Sequence, residues 1–351
     1  MSAFMKQQQP NVLFYVHHHG KGHLARAQHL VPLVEKYATV TLLTAHEDFA
    51  DSVGNALPKR KVITLPTKWP KGSGQPPRSF NAAFEGIPFA PQASTRAAFF
   101  HNLLTDVNYA GLISDVSAEL TIYARGAGLP VLMQRHSGDI SGDPTQVFAY
   151  HCANALYAPY PAQLEVDDFP FSSKTTFLGN LTPARKEKTV KQNGVTIVHN
   201  DCEVVNAVCD AILPTDMPIT VISSDPSRLR HLNDIDYFRH VADISSHVET
   251  GLVFCSAGNN TLCELLAIDR KLIVVPEPRP YEEQSAKALK LANLNAAVYL
   301  PKSSMSKTSN ILNAIDQTRT IEPSVIASLL HDGAPTQWHH AFEILIREHF
   351  L

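Results

Sequence analysis

Long apolar runs are missing from this 351-residue sequence, and no segment approaches the ~18 consecutive apolar residues that a membrane-spanning helix needs. The polar N-terminus, MSAFMKQQQP, also lacks the apolar core of a signal peptide. An excess of one charge is missing too, because the net charge is only −3. Such a chain is a poor partner for nucleic acid. We therefore expect a cytoplasmic protein without a transmembrane segment, and peripheral membrane contact stays open.

Paired cysteines are also lacking. The five cysteines include no C-x-x-C pair, and Cys255 and Cys263 fall in apolar segments, so reduced thiols fit better than disulfides. Three consecutive histidines, residues 17–19, could suggest a metal site. Alternate residues of a strand point to opposite faces, however, so the three rings cannot all reach one ion. We expect no metal.

Strand-length apolar runs that alternate with helical segments are abundant, and the most informative unit spans residues 252–284. The run 252–255 has the composition of a buried parallel strand, and it ends in small residues before a helix with apolar residues at helical spacing. A second buried strand, 272–275, is closed by Pro276. Because the first turn of a helix leaves backbone N–H groups unpaired at its positive end, this unit can hold a phosphate.

This stretch resembles the C-terminal domain of glycosyltransferase family 28 and its relatives, which are two-domain GT-B enzymes. Nine residues carry the resemblance in the family's order: Ser256, Ala257, Gly258, Asn260, Thr261, Glu264, Pro276, Glu283 and Gln284. The resemblance implies a donor-binding site whose members are Gly22, Ser256, Gly258, Asn259, Asn260, Thr261, Glu264, Glu283 and Gln284. In it Glu264 would bind the ribose, while Gln284, together with Glu283, would bind the sugar hydroxyls. The alternatives are an ordinary βαβ unit and, for Glu264, a plain exposed carboxylate.

A second motif follows the first predicted strand, residues 11–16. It reads G-x-G-H-x-x-R and runs from Gly20 to Arg26, and the same pattern occurs at this place in many GT-B transferases and in related UDP-sugar hydrolases. Imidazole titrates near neutral pH, so His23 is a candidate general base; the alternative is a helix-start residue bonded to backbone. Asp115 ends another strand at the same sheet edge. It would either orient the His23 ring or cap the following helix.

The resemblance implies an α/β fold of GT-B type, with two Rossmann-like domains whose parallel sheets face each other across a cleft. We predict an acceptor-side domain over 1–181, a nucleotide-sugar-binding domain over 182–335, and a C-terminal helix over 336–351 that packs back on the first domain. The Pro- and Gly-rich segment 66–91 is expected to be a long loop, either facing the acceptor or a plain surface excursion. A helix is expected at 150–156.

The function implied is a metal-independent, inverting transfer of a sugar from a nucleotide diphosphate donor, a UDP-sugar, to an acceptor hydroxyl. The partners would be the nucleotide sugar and that acceptor, with no cofactor besides the donor substrate. Two alternatives stay open: a UDP-sugar hydrolase and a non-catalytic nucleotide-sugar-binding protein. The second is motivated by residues 199–202, which replace the Gly-rich phosphate loop of many relatives and include Asp201, whose charge would repel a diphosphate. Asp269 and Lys271 likewise stand where the family usually has Gly and Pro.

Overall fold

Alternating strands and helices in the first half of the chain build one parallel sheet. The computed structural model describes residues 9–18, 21–73, 76, 78–181, 190–239, 241, 243–330 and 337–351. The strands are β1 (Asn11–Tyr15), β2 (Thr39–Thr44), β3 (Lys61–Thr64), β4 (Tyr109–Ser114), β5 (Val131–Gln134), β6 (Ala155–Ala158) and β7 (Thr175–Phe177). The helices are α1 (Lys21–Val34), α2 (Glu47–Ala56), α3 (Pro91–Asp106), α4 (Ala118–Gly126) and α5 (Pro144–Cys152). The sheet order is β3-β2-β1-β4-β5-β6-β7.

The second half builds another parallel sheet. Its strands are β8 (Lys191–Val198), β9 (Ile219–Ser223), β10 (Asp236–Arg239), β11 (Thr250–Cys255), β12 (Lys271–Val274) and β13 (Ala297–Tyr299). The remaining helices are α6 (Cys202–Ile212), α7 (Asn259–Leu266), α8 (Glu283–Asn293), α9 (Thr308–Arg319), α10 (Pro323–Leu330) and α11 (Gln337–Phe350). The order is β10-β9-β8-β11-β12-β13. Within the described ranges, no helix combines the length and apolarity needed to cross a membrane.

The central strands of both sheets are buried on their two faces, which explains why these strands are apolar runs rather than alternating patterns. In β1, for example, Val12, Leu13 and Phe14 are all buried, with Val12 and Phe14 in one core cluster and Leu13 in another. The strand order reverses between β1 and β4 in the first sheet and between β8 and β11 in the second. Ligands of open α/β sheets bind beyond the carboxyl ends of the strands at such reversals.

The final helix, α11, packs on the first sheet. Its apolar stripe, including Trp338, Phe342 and Leu345, belongs to the core cluster that contains Val12. The Phe350 ring is so close to Gly111 that a Cβ there would lie 2.0 Å from a ring carbon. The chain therefore returns to the first domain at its end. The predicted boundaries at 181/182 and 335/336 stay predictions, because residues 182–189 and 331–336 lie outside the described ranges.

Two local expectations are settled by the backbone. The helix expected at 150–156 is wrong: α5 begins at the Asp143 cap and ends at Cys152, and the buried residues Ala155–Ala158 form β6. An Ala- and Leu-containing run resembles a helix in composition, but burial on both sheet faces decided its conformation. Asp269, where the family usually has Gly, adopts the left-handed conformation with a φ of 54°. Asp tolerates this region better than most residues, so the substitution preserves the turn.

Candidate functional site

The predicted base and its partner meet at the strand-order reversal of the first sheet. His23 lies in the first turn of α1, and Asp115 follows β4 directly. The His23 Nδ1 atom is 2.7 Å from Asp115 Oδ2. The alternative that Asp115 caps α4 is wrong, because Ser117 is the N-cap and its hydroxyl accepts from the Leu120 N–H. The two residues therefore form a His–carboxylate pair at the sheet edge.

The tautomer of His23 follows from the partners of its Nδ1 atom. A carboxylate only accepts hydrogen bonds, so the short contact with Asp115 requires a proton on Nδ1. The Arg26 guanidinium is also 2.8 Å from Nδ1, but it has other acceptors, at Gln134 Oε1 (3.1 Å) and Asn260 Oδ1 (3.3 Å). We therefore assign the Nδ1–H tautomer to neutral His23. The lone pair of Nε2 is then available to take a proton.

Asp115 stays ionised over the physiological pH range. Burial alone would raise the pKa of this 3% exposed carboxyl, but the His23 ring and the Arg26 guanidinium outweigh burial and hold the pKa at about 2. The backbone N–H of His17 adds a hydrogen bond of 3.3 Å to Oδ2. A fixed negative charge on Nδ1–H stabilises the imidazolium that forms when Nε2 accepts a proton.

Two helix N-termini face each other across the domains. Gly22 lies in the first turn of α1, and a Cβ at this position would lie 3.5 Å from the side-chain amide of Asn260 in the first turn of α7. Arg26, one turn further along α1, donates to Asn260 Oδ1. The first turn of a helix leaves backbone N–H groups without an intrahelical partner and carries the positive dipole end, and here two such turns lie next to each other. This arrangement suits an anion.

The start of α7 leaves its backbone accessible. Gly258 is the N-cap and makes no side-chain hydrogen bond, and Asn259 and Thr261 belong to the partly exposed first turn. A Cβ at Gly258 would meet only Thr261 Oγ1 and Ser256 Oγ, both at ordinary contact distance. Ser256 itself is largely buried behind the loop. A ligand can therefore approach these backbone N–H groups closely.

Glu264 is partly buried on the second turn of α7, so it is not a plain exposed carboxylate. Its Oε2 atom accepts the backbone N–H of Ile244 at 2.8 Å, which ties α7 to the turn Ile244–Ser246. It also borders a small cavity between the domains, about 70 Å³ in volume, together with residues of α1. Small-molecule sites usually measure ~300 Å³ or more. A larger cavity of about 430 Å³ near Lys290 contains none of the predicted site residues.

Glu283, at the start of α8, contacts the first domain. Its Oε2 atom accepts the Ser137 hydroxyl at 3.2 Å and lies 3.6 Å from His136 Nδ1. Burial is the main cause that lowers the pKa of His136, to about 4, so this ring is neutral and the contact is no ion pair at neutral pH. Nearby, the Tyr281 hydroxyl donates to Asp143. These bonds hold the two domains in a closed arrangement.

Gln284 is 3% exposed, and its side-chain amide oxygen accepts hydrogen bonds from two backbone N–H groups. Oε1 accepts the N–H of Ala257 at 3.0 Å and the N–H of Glu277 at 2.9 Å. One side chain thus joins the loop before α7 to the segment after β12. Sequence reasoning placed Gln284 in the site but gave no signal for this structural role.

In residues 199–202, which replace the Gly-rich loop of many relatives, the polar side chains have hydrogen-bond or ion-pair partners within the protein. His199 Nδ1 accepts the Asp201 N–H, and its Nε2 therefore donates to the Val275 carbonyl. Asp201 caps α6 and pairs with Lys302 at 2.6 Å, so its charge is compensated locally. Asn200 accepts the Ser224 N–H. The expected repulsion from Asp201 is thus reduced, and His199 is not available as a phosphate donor.

Solved glycosyltransferase structures resemble the whole chain. The MurG structure from Acinetobacter baumannii is 15% identical, with a TM-score of 0.66 over 96% of this chain and 100% of its own. The calicheamicin glycosyltransferase CalG4 is 16% identical, with a TM-score of 0.68 over 97% and 98% of the two chains. A UDP-glucosyltransferase from Polygonum tinctorium is 13% identical, with a TM-score of 0.70 and the same coverage. The predicted GT-B fold is confirmed.

At 13–16% identity these structures show the fold, which is the one found in GT-B glycosyltransferases. Residues 185–325 match the family model described as the glycosyltransferase family 28 C-terminal domain. No curated protein sequence matches the chain. The chain resembles family 28 in its second domain, and the family match and the fold together support a glycosyltransferase that uses a nucleotide-sugar donor.

Proposed function

We propose that this protein transfers a sugar from a UDP-sugar to an acceptor hydroxyl, with inversion and without a metal ion. The observation that carries the proposal is the His23–Asp115 pair, whose 2.7 Å bond leaves Nε2 free for a proton. It lies on the same helix as Gly22, which faces the start of α7 in the other domain. The proposed base and the start of α7 thus lie on opposite sides of the contact between the two domains.

The donor diphosphate belongs between the two helix starts. The first turns of α1 and α7 supply N–H groups and positive dipole ends from both sides, and the Arg26 guanidinium lies beside them. Among the similar structures, one is a rhamnosyltransferase, SpnG, with thymidine diphosphate and another is LpCGTa with UDP. Glu264 is proposed for the ribose hydroxyls, and Glu283 with Gln284 for the sugar hydroxyls.

The chemistry is a single displacement. His23 Nε2 takes the proton of the acceptor hydroxyl while its oxygen forms a bond to the anomeric carbon, and the bond from that carbon to the diphosphate oxygen breaks. The electron pair leaves with the diphosphate, where the N–H groups of the α7 start stabilise the charge. Attack from the face opposite the leaving group inverts the anomeric centre. Asp115 stabilises the imidazolium until it releases the proton.

The closed arrangement requires the domains to separate before the donor enters. The 70 Å³ cavity is too small for a nucleotide sugar, and the Arg26–Asn260 and Ser137–Glu283 bonds cross the cleft. Both bonds involve residues proposed to face the donor. Binding would therefore exchange these contacts for contacts with the ligand, followed by closure around it.

The direct test is to incubate the protein with a panel of nucleotide sugars, with and without candidate hydroxyl acceptors, in buffer containing EDTA. The proposal predicts transfer that depends on an acceptor and continues with EDTA present. Rapid sugar release without an acceptor would instead identify a UDP-sugar hydrolase, since water would then be the nucleophile. Binding without turnover would identify a non-catalytic nucleotide-sugar-binding protein, and loss of transfer in EDTA would refute metal independence.

A further inference from the structure

Lys287 is a buried lysine whose ammonium group has no hydrogen-bond or ion-pair partner among the described residues. Its side chain is 1% exposed, and Nζ makes no hydrogen bond or ion pair with any described residue. Lys287 lies on α8, three residues after Gln284 and four after Glu283, so the three side chains share one face of this helix. The unpaired charge is therefore next to the proposed sugar-binding pair.

The groups around this ammonium do not neutralise it. Glu283 is the nearest carboxylate on its own helix, but it bonds to Ser137 of the first domain instead. Cys263 of α7 and the guanidinium groups of Arg26 and Arg135 also act on Lys287, and the thiol is neutral because burial raises its pKa to about 11. The Tyr160 ring is 5.9 Å away. Arg135 is itself paired with Glu165, and Arg26 lies 3.9 Å from Asp115, so the Lys287 Nζ atom is the group at this place that an added anion could bond.

Stability does not explain a lysine here. Burial is the main cause that lowers the pKa of Lys287, because an ammonium without a partner loses its hydration. An apolar side chain of similar length would fill the same space without that cost. Residues that reduce stability in this way are typical of ligand-binding sites, where the ligand supplies the missing partner.

We propose that Lys287 binds a carboxylate of the donor sugar and makes the enzyme selective for an acidic nucleotide sugar such as a UDP-uronic acid. The inference rests on the proposed function and specifies its donor. The helix starts of α1 and α7 are proposed for the diphosphate, whereas Lys287 lies one turn beyond Glu283, which is proposed for the sugar hydroxyls. A carboxylate on the sugar would give Nζ the charge-assisted hydrogen bond that it lacks among the described residues.

The test compares three ligands by calorimetry: UDP, UDP-glucose and UDP-glucuronate, the last two differing only in CH₂OH against carboxylate. The wild type should bind UDP-glucuronate roughly ten- to a hundredfold more tightly than UDP-glucose. Lys287→Met should remove this preference while leaving the affinities for UDP and UDP-glucose unchanged. The matched control is Lys290→Met on the same helix, since Lys290 pairs with Asp167 at the surface and should not affect any ligand.

Several results would overturn the inference. Equal affinity of the wild type for both sugars would refute acid selectivity, and an equal loss of UDP affinity in Lys287→Met would assign the ammonium to the diphosphate. Thermal melting of Lys287→Met should show unchanged or raised stability, whereas clear destabilisation would indicate a structural role. If dTDP binds and UDP does not, the same comparison is made with dTDP-glucose and dTDP-glucuronate, and equal affinity for these two refutes acid selectivity. If no nucleotide binds, the proposed function itself fails.

Discussion

Gln284→Ala should both destabilise the second domain and weaken nucleotide binding. The amide oxygen of Gln284 accepts two backbone N–H groups, those of Ala257 and Glu277, in a place that is 3% exposed. Removing the acceptor leaves the buried Ala257 N–H and the part-buried Glu277 N–H unsatisfied. An unsatisfied buried donor costs about 1–3 kcal/mol, so we expect a loss of at least that size. Because Ala257 precedes the Gly258 cap directly, the start of α7 should also shift. Free UDP should therefore bind more weakly, and not only the complete nucleotide sugar.

Gln284→Glu separates the two roles of this side chain. A carboxylate still accepts from both backbone groups, so much of the stability should return, while the amide donors available to a sugar are lost. The control is Gln317→Ala, an exposed position on α9. Urea unfolding gives the stability, and hydrogen exchange of the peptides containing Ala257 and Glu277 reports the freed N–H groups. Wild-type stability and unchanged exchange in Gln284→Ala would refute the reasoning.

Three further predictions concern the cleft. Gly258→Leu should fold normally, because a Cβ there meets only ordinary contacts. It should lose UDP binding, because the side chain would block the approach of a ligand to the backbone. Unchanged affinity for UDP in calorimetry would show that the nucleotide binds elsewhere. Glu264→Gln should weaken UDP roughly tenfold by removing charge from the ribose contact, and full affinity would contradict that role. Asp115 has its pKa lowered from 3.8 to about 2, so its contribution of about 2 kcal/mol to stability is present above pH ~4 and lost towards pH ~2. The free energies of unfolding of the wild type and Asp115→Asn, measured with urea, should therefore converge as the pH falls from ~4 to ~2. A difference between them that does not depend on pH would refute this.

The elements that were predictable from sequence are those whose signal is local. Buried parallel strands must be apolar on both faces, so runs such as those of β1 and β11 stand out. The edge strand β10 could not be found in this way, because most of its residues, Asp236–Arg239, are exposed and its pattern resembles a loop. The His23–Asp115 pairing was within reach, since carboxyl ends of neighbouring parallel strands meet at one edge.

The missed features of the site depend on contacts between distant segments. The Arg26–Asn260 bond joins residues 234 positions apart and is decided by how the two domains meet. Gln284 becomes a backbone acceptor only because the segments after β11 and β12 pass close to it. Lys287 looked like an ordinary helical lysine, but in the fold it is buried and its Nζ atom lies over the Tyr160 ring of another segment. No periodicity or motif encodes such arrangements.

The central claim is that His23 is the general base, and turnover of His23→Ala tests it most directly. The account predicts a turnover lower by about 10²–10⁴-fold, with UDP-sugar affinity within roughly threefold of the wild type. His46→Ala is the matched control, because this exposed histidine contacts the His18 ring in a tilted arrangement at the same sheet edge and should retain turnover. Near-normal turnover of His23→Ala with the true acceptor would contradict the account and leave Asp115 as the base.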